Sequence, residues 1–93
     1  MFYRGGASLK PTPNDVRVDP RTGLLRTTHG VSVYNRPDNL DRFGGARRMV
    51  SVPGDLRIIQ RGLDPHHHEI VPARPMSLSE YEGALSRVVL TPA

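Results

Sequence analysis

The stretch His67-His68-Glu69-Ile70-Val71-Pro72-Ala73-Arg74-Pro75-Met76-Ser77-Leu78-Ser79-Glu80-Tyr81 changes its period halfway along, and that change decides the fold. Its first five residues read as a strand, closed by Pro72 and Pro75, neither of which can donate to a ladder. Its second half opens a helix: Ser77 and Glu80 stand at capping-box spacing, each able to satisfy one orphan backbone donor. Leu78, Tyr81, Leu85 and Val88 then share one face at helical spacing, which predicts a stripe packed on a sheet with no ligand role.

Working outward, the remaining chain reads as short strands between turns. Met1–Arg4 ends at Gly5-Gly6, and Val31–Tyr34 is β-branched and aromatic after Gly30. Arg47–Val52 and Leu56–Gln60 flank a Pro53-Gly54 turn. Val16–Val18 and Leu24–Thr28 are short strand candidates around the turn Asp19–Gly23, and Leu9–Asp15, with its two prolines, is a loop. Asn35–Phe43 has room for one helical turn, stopped by Gly44-Gly45. Many short strands followed by one late helix predict an α+β fold, a C-terminal helix packed on a small sheet, with residues 1–93 as one domain.

Composition bounds what such a chain can do. Ninety-three residues bury roughly 60–65% of their unfolded surface, enough for one core. Nine prolines and nine glycines leave much of the chain as turns and ordered loop. Cysteine is absent, which removes disulfides and thiolate metal sites. Met1-Phe2-Tyr3-Arg4 runs into Gly5-Gly6 and not into an apolar segment, so no signal peptide and no membrane partner are expected. The formal charge is +4, carried by twelve arginines and the single lysine Lys10. Arginine forks suit a dinucleotide, RNA or an acidic protein; an arginine-rich solvated surface is the plain alternative.

The usual phosphate loops GxGxxG and GxxxxGK[ST] are absent, as is a GxSxG elbow. His66 and His68 would share one strand face and could chelate an ion, but a third ligand is not supplied by the sequence, and no metal is assigned. Alternation about Ile70 puts His68 on the core side and His67, Glu69 and Val71 on the other, so Glu69 is offered to a cleft or to solvent. Ser32 alternates with Val31 and Val33 and faces away from the core in the same way.

Three segments occur in order: Gly30-Val31-Ser32-Val33-Tyr34, Pro53-Gly54-Asp55-Leu56-Arg57-Ile58, and His67 through Met76 with its Pro-Ala-Arg-Pro-Met exit. Together with the opening Phe2-Tyr3-Arg4 and the turn ending in Gly23-Leu24-Leu25, they resemble the bacterial type VI secretion toxins whose fold is similar to ADP-ribosyltransferases. The resemblance implies a strongly bent, split β-sheet with a cleft for NAD as cofactor, an NAD-dependent cytotoxic effector or toxin–antitoxin toxin, and a cognate immunity or antitoxin protein of acidic character. It implies an unidentified macromolecular target, a cytoplasmic location in the producing cell and delivery into a target cell.

By position, the resemblance makes Ser32 and Glu69 catalytic, and Tyr3, Arg4, Ser32 and Glu69 the cofactor-binding set. Arg26 or Arg47 would meet the pyrophosphate. The family's late strand does not generally carry this glutamate, and the chain is shorter than typical transferases. Two other readings stand beside it: a ribonuclease-type toxin using His29 or the His66–His68 cluster, and a non-catalytic module binding a partner on the same fold.

Overall fold

Hydrophobic alternation and proline punctuation produce six strands and one helix among the described residues of the computed structural model, which are residues 1–6, 8–38 and 45–92. The strands are β1 (Tyr3–Gly5), β2 (Val31–Tyr34), β3 (Ala46–Ser51), β4 (Leu56–Gln60), β5 (His67–Pro72) and β6 (Val89–Pro92), with the helix α1 (Leu78–Ser86) between the last two. They form one antiparallel sheet in the order β4-β5-β2-β1-β3-β6. The fold is α+β.

The resemblance implies a split sheet, and the six strands are one sheet. Its weakest seam lies between β1 and β2, which share the single Cα pair Tyr3–Tyr34. The neighbouring ladders are longer, with four pairs between β2 and β5 and five between β4 and β5.

Val31, Val33 and Ile70 are fully buried on the face of the sheet that α1 covers. Burying such a side chain stabilises by about 1.5–3 kcal/mol. Leu25, Met76, Tyr81, Ala84 and Leu85 complete that core. Val71 points to the opposite face and is also fully buried, so the middle of β5 is covered on both sides.

The helix begins where the capping box puts it. Ser77 Oγ accepts from the Glu80 N–H at 3.1 Å, and Glu80 Oε1 accepts from the Ser77 N–H at 3.4 Å. The predicted stripe needs correction at both ends. Leu78 is 46% exposed, because Met76, just before the cap, takes the core position. Val88 is buried but lies beyond the helix, after the C-cap Arg87, and leads directly into β6.

The strands expected at Val16–Val18 and Leu24–Thr28 shrink to one bridge, Val18–Leu25, as Leu25 turns inward to pair with Met76. The loop over Leu9–Asp15 contains one 3₁₀ turn at Pro13–Asp15. The helical turn expected over Asn35–Phe43 falls, for residues 39–43, outside the described residues.

Candidate functional site

Antiparallel partners stand on the same face of a sheet, so register assembles the site. Ser32 pairs with Glu69, Tyr34 with His67, and Tyr3 with Tyr34. Tyr3, Ser32, Tyr34, His67 and Glu69 therefore occupy one face, opposite the valines that anchor β2. Arg4 alternates to the other face, yet its Nη1 donates to the Ser32 carbonyl at 2.7 Å and its Nε to the Ser8 carbonyl at 3.1 Å. Where β1 parts from β2, the guanidinium supplies a donor that the ladder does not.

Glu69 is the main correction. Alternation offers it to a cleft or to solvent, and it is 6% exposed. A buried carboxylate must be paired and hydrogen-bonded to be tolerated. Here Oε1 accepts from the Gly30 N–H at 2.9 Å, and Oε2 accepts from Arg61 Nε at 3.0 Å. Arg61 follows β4 directly and is partly exposed, so it closes the carboxylate off from outside. Each carboxylate oxygen has two acceptor positions, and among the described residues each accepts one hydrogen bond.

Ser32 acquires a partner that the sequence reading leaves out. Its Oγ is 2.9 Å from His67 Nε2, while His67 Nδ1 is 2.7 Å from the Arg61 carbonyl. A carbonyl can only accept, so Nδ1 carries the hydrogen, and in the neutral ring Nε2 is left to accept from the Ser32 hydroxyl. Glu69 Oε2 is 4.0 Å from the same Nε2, and Tyr34 meets the imidazole edge-on with centroids 5.5 Å apart. The alternation of His67 with Glu69 carries the signal for a shared face; the cross-strand match with Ser32 has no local signal.

Close packing underlies the placement. A Cβ on Gly30 would collide with the Ile70 carbonyl and stand 2.7 Å from the Tyr81 hydroxyl oxygen. Glycine lets the chain approach β5 closely enough for its N–H to reach Glu69. The Tyr81 hydroxyl donates to the Ile70 carbonyl at 2.6 Å and accepts from the Val31 N–H at 3.0 Å. It relays between two paired residues, so Tyr81 has a polar function beyond its place in the apolar stripe, and burial pushes its hydroxyl pKa up to about 12.

His29 lies beside this group. Its Nδ1 is 2.8 Å from Thr28 Oγ1, and burial, followed by the positive charges of Arg61 and Arg17, lowers its pKa. Arg26 acts in the same direction and Glu69 opposes it. Arg47 pairs with Arg4 on β3 and stands on the face opposite Ser32.

The histidine chelate read from sequence does not assemble. His66 lies before β5 and engages Asn35 Oδ1 at 2.8 Å, while His68 meets Phe2 edge-on with centroids 4.9 Å apart. Among the described residues no group of three or more His, Asp or Glu side chains is placed to hold a metal ion. A groove of about 310 Å³ lies elsewhere, between Leu9–Pro11 and the end of α1, and contains none of the site residues.

No family model, curated protein or solved structure matches the chain. Among the described residues no helix is long and apolar enough to cross a membrane.

Proposed function

We propose that the chain is a bacterial cytotoxic protein of ADP-ribosyltransferase-like type that consumes NAD as substrate, transferring ADP-ribose to a macromolecule or to water. The observation carrying this reading is the pairing of Ser32 with Glu69 on one face, with Arg4 held at the adjoining seam. These three come from separate segments, and meet through the Ser32–Glu69 pair and the bond from Arg4 to the Ser32 carbonyl.

The residues fit such a substrate. Glu69 would accept from a ribose hydroxyl at Oε2 once the partly exposed Arg61 swings aside. NAD supplies a glycosidic bond whose cleavage builds positive charge on the ribose. A buried carboxylate fixed before the reaction stabilises that charge without reorganising. Arg61 provides a cationic group for a phosphate beside the carboxylate, while Tyr3 and Tyr34 offer aromatic surface on the same face. A cognate antitoxin or immunity protein, a type VI delivery route and a cytoplasmic site of action belong to the same proposal.

Intracellular expression without a neutralising partner should arrest bacterial growth and deplete NAD. Ser32→Ala and Glu69→Gln should each reduce toxicity, since a lost hydrogen bond of about 1–3 kcal/mol corresponds to a rate loss of roughly 5- to 150-fold. Growth curves at matched soluble expression, with NAD and total RNA measured after induction, decide the matter. Arrest with intact NAD and decaying RNA would refute the reading and favour a ribonuclease; unimpaired growth would favour a binding module.

A further inference from the structure

We infer that Ser32 is itself a nucleophile, with His67 its general base, and that the chain is an acceptor of its own ADP-ribose; the inference rests on the dinucleotide reading above. The geometry has the three parts that activation of a serine requires. The nucleophile and base are in contact, Ser32 Oγ to His67 Nε2 at 2.9 Å. The base is oriented by a third group, the Arg61 carbonyl at 2.7 Å from Nδ1, which fixes the tautomer with Nε2 as acceptor. A negative charge stands ready for the imidazolium that forms, since Glu69 Oε2 is 4.0 Å from Nε2. Ser32 and His67 are only partly buried, so an electrophile can approach the hydroxyl from the site face.

The neighbouring charge selects the class of electrophile. Acyl transfer builds an oxyanion beside the attacked carbon, and the fixed carboxylate paired with Ser32 would repel it. Displacement at the anomeric carbon of a ribose builds positive charge instead, which the same carboxylate favours. In the step, the Ser32 Oγ–C1 bond forms while the C1–N bond to nicotinamide breaks. Nicotinamide leaves with the electron pair of that bond. The hydroxyl proton passes to His67 Nε2 and from there to water. The product is an O-linked ADP-ribosyl serine, and no oxidant or reductant is consumed.

The test uses the full chain and the variants Ser32→Ala and His67→Ala, each checked for a cooperative melt. His67→Asn, whose amide nitrogen stands where Nδ1 does and retains a donor for the Arg61 carbonyl, replaces the alanine variant if that one does not fold. Each protein is incubated with NAD, and released nicotinamide, intact mass and the modified peptide are followed. A parallel incubation with a small fluorophosphonate, whose attack by serine builds negative charge, tests the choice of electrophile. The parent should gain one ADP-ribose on Ser32 and stay unlabelled by the fluorophosphonate, which the Glu69 carboxylate disfavours. Ser32→Ala should gain no ADP-ribose, and loss of the base should slow the transfer by about 100-fold. Nicotinamide release with Ser32 unmodified, or an adduct that persists in Ser32→Ala, overturns the inference and leaves the dinucleotide reading standing. Fluorophosphonate labelling without the sugar overturns the assignment of electrophile. No nicotinamide release and no adduct overturns both.

Discussion

Gly30 and Tyr81 are the residues on which the site depends without touching a substrate. A Cβ at Gly30 would collide first with the Ile70 carbonyl, which is backbone and does not yield, and then with the Tyr81 hydroxyl. Gly30→Ala should therefore cost more than the ~1–3 kcal/mol usual for an overpacked position, and should abolish a cooperative melt. Gly54→Ala, where an added Cβ meets nothing within 4 Å, should leave the melt unchanged. Similar melting of the two variants would disprove the close approach. Tyr81 makes a prediction in pH. The unfolded chain releases a tyrosine proton near pH 10, whereas the folded chain holds it to about 12. Between those values the folded state binds more protons, so stability falls as pH rises, by about 3 kcal/mol in all. Tyr81→Phe should remove that slope and cost about 1–3 kcal/mol for each backbone group it orphans. Urea unfolding of both proteins across this range checks it, and equal slopes would refute it.

Among the elements, α1 and β4 are legible from sequence because their signals are local. Leu56–Gln60 begins just after Pro53-Gly54, and Ser77 with Glu80 marks the helix start. Ser77→Ala should lower stability by about 1 kcal/mol. In a domain of this size that is a fall of about 4–8 °C in Tm, measurable by calorimetry. Glu80 adds a pH signature. The Ser77 N–H beside its carboxylate lowers its pKa, so the cap's contribution is present above the usual glutamate range and lost as pH falls through the folded value. The parent and Glu80→Gln, which keeps the side chain's size without its charge, should therefore converge in stability in acid. The strand β6 is not legible, because Val88 also completes a helical stripe with Tyr81 and Leu85. What separates the two readings is the C-cap at Arg87, whose N–H bonds back to Ala84 and Leu85. The site faces are legible for the same local reason, since alternation alone sets Ser32 and Glu69 apart from their valine and isoleucine neighbours.

At the scale of the whole molecule, the pairing of those faces is not legible. Ser32 meets Glu69 and His67 only because β2 lies beside β5, a contact between distant parts of the chain. The burial of Glu69 is equally non-local, set by Gly30 and Arg61 arriving from other segments. The strand order also has a mechanical consequence. β1 and β6 both run antiparallel to β3, one on each side of it, and so run parallel to each other. Gly5 pairs with Ala46 and Val89 with Ser51, at opposite ends of β3, so tension applied to Gly5 and Val89 pulls the two strands lengthwise in opposite directions along it. Antiparallel hydrogen bonds lie across the strands, so this load strains several of them together instead of peeling them singly. Stretched in an optical trap from these two points, the protein should rupture in one abrupt event at high force. Moving the handles to Tyr3 and Pro92, which stand nearly level across β3 opposite Arg48 and Arg47, should turn the same contact into a zipper that opens gradually at low force.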